Sequence, residues 1–480
     1  MSTMKMKRLL SIIVIFTFLV IPLVSNISTS HGASNDEVEH SEEIDTLHSI
    51  GEAEEYEFFS DEPYEAEVNC NINSEGVGLV GFEGKYELVD DNLVSVIVLF
   101  YHQPAAVQVL EAQTEGYLLE KNMAEQRVED SHTLFRQEIS NLFHTEVIST
   151  RETPPYEILW EYRIGLNGVN IVLPSNKVHE LASLNSVGVV YPDFRMRAEK
   201  PIIHDDCEED YNYIDIFSEE SNPYESVSPL RSFWVNEGPW GMRPGRTAMR
   251  ANEVHALGYR GEGVLVAVLD SGIDYHHPAF EGAFLTLEEM QARGANISYE
   301  DTIDGVFYGR NFFPDERAGN DPMEEIWFLN FLEFHGTHVS GTIVGRENPR
   351  MKTPILGVAP EANLVVYRVF GTITDELIDE LGMEFFITMS HLLAAFEQTV
   401  HGQVDVVNMS IGLAYVDENG QIIVSNEATQ IVSIAINNIM LHNPYMVFVS
   451  AAGNFGHPYR VSSPATAAEV YLLQTQIFGQ

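Results

Sequence analysis

Four short, almost wholly apolar segments alternate with helical patterns in the second half of the chain, and this alternation limits the fold more than any other feature. The apolar segments are residues 264–269, 363–370, 404–409 and 446–451. Helical periodicity covers residues 247–257, 336–345, 376–400 and 427–441. Strands without a polar face are buried on both sides, which is typical of a parallel sheet covered by helices. We therefore predict an α/β fold, a doubly wound parallel sheet, for residues 240–480.

A smaller unit precedes this sheet. Its pattern is a β-type run at 94–99, a helix at 120–143, two strands at 156–162 and 169–173 around a turn at 165–168, a helix at 176–184 that Ser175 can cap, and a last strand at 187–191. The order β-α-β-β-α-β is the split βαβ pattern. We predict a small α+β ferredoxin-like domain at residues 93–198.

The N-terminus has the pattern of a secretory signal. Lys5, Lys7 and Arg8 precede an apolar run at residues 9–24, which is shorter than the roughly 20 residues that a bilayer span needs. We expect residues 1–33 to be a signal peptide and the protein to be secreted, free in the extracellular medium or associated with the cell wall. An uncleaved membrane anchor is the alternative, and no other segment has a transmembrane pattern.

The chain is strongly acidic, with a formal net charge of −46 over 480 residues. Residues 34–92 read as a weakly ordered acidic leader and residues 199–239 as an acidic linker. Because such a surface repels phosphates and anionic lipids, we exclude nucleic acid as a partner, and the membrane as well once the signal is removed. Cys70 and Cys207 are expected to be free thiols, with a single disulfide as the alternative.

Three polar blocks lie at one predicted edge of the sheet. Asp270 ends the first apolar segment, His335 opens a helix, and Asn454 follows Gly453 after the last strand. The carboxyl ends of parallel strands share an edge, so these groups are expected to meet. An attacking serine needs a base near neutral pH, a carboxylate to orient that base, and a donor for the oxyanion. We predict these three roles for His335, Asp270 and Asn454.

Each block alone has another explanation. An aspartate after a strand is often a turn residue or a helix cap, and a histidine at a helix start can be structural. His335 and His338 could face one metal ion, but the Glu of the zincin pattern is missing between them. We therefore predict no metal site.

Together the blocks resemble the subtilisin-like serine proteases (peptidase S8). The matching stretches lie within about residues 241–464 and are residues 268–274, 335–342, 357–360, 407–412 and 451–454. The resemblance implies that Asp270 orients the general base His335 and that Asn454 donates to the oxyanion, with His338 structural. It also implies that Ser410, Ile411 and Gly412 pair with an extended peptide as an added strand, a main-chain mode of recognition, and that Gly453 helps to bind substrate.

The unit at residues 93–198 resembles the inhibitory propeptide of this family (inhibitor I9-like). This resemblance implies a domain that assists folding, is itself a partner of the catalytic domain, and blocks the cleft until it is cut near residues 195–200. One departure concerns calcium: Ala279 stands where many members carry a calcium-binding Asp. Calcium is therefore unsupported at this position, and we predict no cofactor.

A second departure concerns the nucleophile. The family's serine lies in a Gly-Thr-Ser-Met-Ala segment, and the 480 residues contain none after Asn454. The sequence thus predicts a precursor of a secreted serine endopeptidase that acts on proteins or peptides, C-terminally incomplete and inactive as it stands. The alternative is a non-catalytic, peptide-binding pseudoprotease. An unrelated doubly wound hydrolase would leave the ordered blocks unexplained.

Overall fold

The computed structural model describes residues 78–79, 88, 91–147, 155–193, 195–198, 242–313, 319–324, 334–351, 355–371, 386–416, 422–423, 427–453, 462–467 and 471–473. The predicted signal, nearly all of the acidic leader, the acidic linker, both cysteines and Asn454 lie outside these ranges. Within them, no helix is both long and apolar enough to cross a membrane.

The strands are β1 (Gly78–Leu79), β2 (Leu93–Phe100), β3 (Glu157–Tyr162), β4 (Gly168–Pro174), β5 (Val187–Pro192), β6 (Arg195–Ala198), β7 (Leu265–Asp270), β8 (Leu285–Thr286), β9 (Val306–Phe307), β10 (Gly309–Asn311), β11 (Asn363–Arg368), β12 (Phe386–Thr388), β13 (Val406–Met409), β14 (Leu413–Val416), β15 (Ile422–Ile423), β16 (Val447–Ala451) and β17 (Tyr471–Leu473). The helices are α1 (Ala105–Thr114), α2 (Lys121–Val147), α3 (Val178–Ala182), α4 (Met242–Ala248), α5 (Ala251–Ala256), α6 (Leu287–Ala292), α7 (His335–Val344), α8 (Met389–His401) and α9 (Glu427–His442).

The larger unit is built on a parallel sheet of six strands in the spatial order β10-β11-β7-β13-β16-β17. Alternate side chains of β7 enter two different cores. Leu265 packs in the core that contains Phe396 of α8, and Val266 in the core that contains Val344 of α7. Helices thus bury both faces of the sheet, and for this reason its strands are apolar along their whole length. The predicted α/β fold with a doubly wound parallel sheet is confirmed.

Two predicted helices are wrong in part. The pattern at residues 376–400 predicts one helix, but Phe386–Thr388 is the strand β12, and α8 begins only at Met389; residues 376–385 lie outside the described ranges. β12 is a strand because it pairs with β6, a partner distant in sequence. Residues 247–257 form two helices rather than one, because Arg250 between them adopts a left-handed backbone with φ of 57°.

The smaller unit has the sheet order β1-β5-β2-β4-β3, in which all neighbours are antiparallel except β1 and β5. Its four long strands therefore have the predicted ferredoxin-like arrangement. Helix α1 was not predicted. Ser175 is not the cap of α3, since residues Ser175–Lys177 form a separate 3₁₀ turn and Lys177 is the N-cap residue.

The smaller unit contacts helices α8 and α9 of the larger one through a buried acid. The carboxylate of Glu397 on α8 accepts hydrogen bonds from the backbone N–H groups of Arg163 (3.1 Å), Ile164 (3.1 Å) and Gly165 (2.7 Å). Asn438 of α9 donates to the carbonyl of Gly165 at 2.8 Å. Burial raises the pKa of Glu397 to about 7, although the N–H donors oppose this effect.

A second acid makes the reciprocal contact from the smaller unit. Asp193 accepts hydrogen bonds from the backbone N–H (2.9 Å) and the hydroxyl (2.6 Å) of Ser390, in the first turn of α8. The Tyr162 hydroxyl donates to the Ser390 carbonyl at 3.0 Å. Negative charge at a helix N-terminus is favourable, so this contact fixes the smaller unit on α8.

Beyond Asp193 the chain forms β6, which lies between β12 and β14 and is antiparallel to both. In register, Ala198 is opposite Leu413, and Arg197 is opposite both Ala414 and Phe386. The end of the smaller unit is therefore held as a strand by the larger unit.

We expect Glu397→Ala to lower the free energy of unfolding by about 3 kcal/mol, because it leaves buried backbone N–H groups without an acceptor. Urea denaturation of the full chain measures this loss. Glu129→Ala is the matched control: Glu129 makes an exposed pair with Arg163, and its removal is expected to change stability by less than about 1 kcal/mol. Equal losses in the two variants would contradict the role given to Glu397.

Candidate active site

Asp270 is the last residue of β7 and is fully buried. One carboxylate oxygen, Oδ1, accepts hydrogen bonds from the backbone N–H of Ser271 (2.8 Å) and from Nδ1 of His335 (2.8 Å). The chain turns directly after it at Gly272, whose φ of 117° and closeness to the Pro322 carbonyl leave no room for a side chain. The turn thus aims the acid along the carboxyl edge of the sheet.

His335 is the first residue of α7, and its side chain remains 24% exposed. The neighbouring Gly336 allows the helix to approach the turn after Asp270, because a Cβ there would lie 2.1 Å from the Gly272 carbonyl oxygen. Burial by itself lowers the pKa of His335, but the charge of Asp270 and its hydrogen bond outweigh burial and raise the pKa above its ordinary value. A carboxylate accepts only, so Nδ1 carries the proton and Nε2 is left for another partner.

A second acid, Glu324, lies under the start of α7 and is almost completely buried. Its carboxylate accepts hydrogen bonds from the backbone N–H groups of Gly336 (3.3 Å) and Thr337 (3.1 Å), and from the hydroxyls of Thr337 and Ser271. Ser271 also donates towards Asp270 at 3.2 Å. Glu324 therefore connects the first turn of the histidine helix to the loop that follows Asp270.

Burial raises the pKa of Glu324 to about 8, with the hydroxyl donors opposing this shift and the charge of Asp270 adding to it. Sequence reasoning missed this residue. It lies in the long stretch between residues 275 and 334, where no periodicity or motif marks it. The parallel bridge between Ile273 and Met323 brings it to the site.

The other predicted site residues lie past neighbouring strands on the same edge. Ser410 follows β13, and its hydroxyl accepts a hydrogen bond from the Asn408 amide at 3.0 Å. Ile411 and Gly412 are buried, and the strand pairing with β6 begins one residue later, at Leu413. Gly453 follows β16 with a φ of 104°.

The structure thus joins Asp270 to His335 by a hydrogen bond and places Ser410 and Gly453 on the same rim. Asn454 lies outside the described residues, so its predicted oxyanion role stays a prediction. Across the residues that the structure describes, no three His, Cys, Asp or Glu side chains form a group able to hold a metal ion. Burial lowers the pKa of His338, three residues along α7 from His335.

We expect Asp270→Asn to lower the pKa of His335, because the variant removes the charge that raises it. Because the pKa of His335 is higher in the folded chain than in the unfolded chain, protonation of the ring stabilises the fold. This stabilisation is fully present below the ordinary histidine pKa and is lost as the pH rises through the raised pKa. An NMR titration of the His335 ring measures the shift directly. Asp274→Asn is the control, and the same shift in both variants would show that no specific pair exists.

We expect Glu324→Gln to gain stability relative to the wild type as the pH rises from about 4.5 to about 8. The folded chain holds the Glu324 proton in this range while the unfolded chain releases it, so the wild type loses stability, by up to roughly 1.4 kcal/mol per pH unit. Urea denaturation at several pH values measures the difference. Glu288→Gln, at an exposed position, should show no trend, and parallel profiles for Glu324→Gln and the wild type would contradict the prediction.

Comparison with known proteins gives the same picture of the larger unit. Residues 261–472 match the sequence profile of the subtilase family, Peptidase_S8. The chain is 26% identical over 310 residues to the minor extracellular protease Vpr of Bacillus subtilis. The aligned region is 64% of this chain and 29% of that protein. It is 30% identical over 168 residues to subtilisin E of the same species, covering 35% of this chain and 32% of that protein. The chain thus spans about a third of the length of these relatives.

Among solved structures, fervidolysin from Fervidobacterium pennivorans, a keratinolytic enzyme related to subtilisin, aligns with a TM-score of 0.40 and 16% identity, over 78% of this chain and 42% of that one. The epidermin leader peptide processing serine protease of Staphylococcus aureus aligns with a TM-score of 0.38 and 14% identity, over 79% and 69% of the two chains. The family match contains both Asp270 and His335 and all of the parallel sheet except Leu473 at the end of β17. By this match, residues 261–472 carry a domain of the subtilase family, Peptidase_S8.

Proposed function

We propose that the chain is the precursor of a secreted serine endopeptidase, in which Asp270 and His335 activate a serine that residues 1–480 do not contain. The 2.8 Å hydrogen bond between His335 Nδ1 and the fully buried Asp270 carries this proposal. A buried carboxylate paired to one ring nitrogen fixes the tautomer and stabilises the imidazolium, while the exposed part of the ring stays open to a reacting group.

In this proposal His335 is the general base. Its Nε2 takes the proton of the serine hydroxyl as the oxygen attacks the peptide carbonyl, and later gives that proton to the leaving amine. Asp270 accepts the hydrogen bond from the Nδ1–H group of His335 throughout, which keeps the ring oriented and stabilises the imidazolium. Asn454, which follows Gly453 in the chain, is proposed to donate to the oxyanion.

The smaller unit is proposed as an inhibitory propeptide of the same chain. Support comes from the two acids that fix it on α8, Glu397 and Asp193, and from the position of β6 between β12 and β14. Strands that hold β6 by main-chain pairing would hold an extended protein or peptide substrate in the same way. The propeptide therefore occupies the peptide-binding strands until it is cut.

Secretion is supported by the basic and apolar N-terminal segment and by the extracellular relative Vpr. The acidic surface fits a soluble exported protein and disfavours nucleic acid.

We expect the 480-residue polypeptide to show no peptidase activity and no labelling by a fluorophosphonate, because residues 1–480 contain no Gly-Thr-Ser segment. Mass spectrometry after labelling detects a modified serine directly. In a longer product that adds the Gly-Thr-Ser segment, labelling is expected, and Asp270→Asn should lower kcat by about 10⁴. A labelled serine within residues 1–480 would contradict the prediction that the nucleophile is absent from them. An unchanged kcat in Asp270→Asn would contradict the proposed role of Asp270 beside His335.

The second candidate is a non-catalytic peptide-binding protein. The observation that favours it is the main-chain pairing of β6 with β12 and β14, which needs no nucleophile. It requires saturable binding of extended peptides without turnover, and a reading frame past codon 480 that encodes no Gly-Thr-Ser segment.

A further inference from the structure

A single arginine joins two loops near Ala279. The backbone N–H of Arg346 donates to the Ala279 carbonyl at 2.9 Å. The Arg346 guanidinium donates through NH1 to the carbonyls of Gly282 and Glu281 (3.4 Å to the latter) and through NH2 to the Ala362 carbonyl at 2.8 Å. One side-chain cation thus binds three main-chain oxygens from two separate segments.

Neighbouring side chains complete this junction. The Asn348 amide donates to the Pro278 carbonyl at 2.9 Å and to the carboxylate of Glu281. Arg350 pairs with the same carboxylate at 2.6 Å. Four carbonyl oxygens of this turn, those of Pro278, Ala279, Glu281 and Gly282, therefore face N–H donors that belong to residues 346–350.

These residues do not fit a calcium ion. Calcium takes six to eight oxygen ligands at about 2.3–2.6 Å. Ala279, where many subtilases carry the calcium-binding Asp, contributes only a buried methyl group, and its carbonyl accepts from Arg346. The carbonyls of Glu281, Gly282 and Ala362 point at the Arg346 guanidinium, whose charge would repel a divalent cation.

We propose that Arg346 is the structural cation of this chain, taking the place of a calcium ion beside Ala279. The guanidinium neutralises the carbonyl dipoles that converge from the two loops, and it is covalently part of the chain. Arg346 also lies two residues beyond the last residue of α7, the helix that begins with His335. The far end of the histidine helix is thus anchored without a bound ion.

Thermal unfolding of the full chain tests this proposal. Arg346→Gln is expected to lower Tm by roughly 5 °C, because three carbonyls lose a charged donor. Arg350→Gln is the matched control: it removes the same charge from an exposed pair and should shift Tm by about 1 °C or less. For the wild type, 5 mM EDTA and 5 mM CaCl₂ (about these concentrations suffice at millimolar calcium affinity) should give the same Tm.

Equal shifts in Arg346→Gln and Arg350→Gln would overturn the proposal. So would a calcium-dependent rise in the wild-type Tm that Glu281→Gln abolishes, since that would place a calcium ion at this junction. A calcium-dependent rise that Glu281→Gln preserves would place the ion elsewhere and leave Arg346 as the cation here. Should Arg346→Gln fail to fold, the comparison of the wild type with Glu281→Gln still decides whether calcium binds at this turn.

Discussion

A carboxylate without water around it is stable only where charged or N–H partners replace the water, and the site depends on how Asp270 meets this requirement. Its Oδ1 accepts from the Ser271 backbone and from His335. Both donors are available only because Gly272 and Gly336 let the turn and the helix approach each other closely. The glycines of the two sequence motifs are thus as necessary to the pair as the acid and the imidazole.

The same solution recurs at three further acids among the residues that the structure describes. Glu324 accepts from the first turn of α7, Asp193 from the first turn of α8, and Glu397 from a loop of the smaller unit. Each carboxylate lies where backbone N–H groups that lack a helical partner converge. In a chain with a net charge of −46, most acids can stay in water, so the buried ones mark the contacts that order helices and units relative to one another.

Much of the larger unit could be predicted from local sequence. β7, β11, β13 and β16 lie within one or two residues of the predicted segments, because a strand buried on both faces must be apolar along its whole length. β12 could not be predicted, because its strand conformation comes from pairing with β6. Helix α1 and the short strand β17 were likewise missed, and Glu324 has no local signal at all.

The sequence by itself determined the parallel α/β sheet, the ferredoxin-like order of the smaller unit, and the pair of blocks that carry Asp270 and His335. These follow from periodicity and from residues adjacent in the chain, which a sequence displays directly. Only the tertiary structure decided that Glu324 supports the histidine helix, that Glu397 and Asp193 join the two units, and that Arg346 fills the junction beside Ala279. Each of these contacts joins residues that are not neighbours in the chain, so no local pattern in the sequence displays it, and it exists only once the chain is folded.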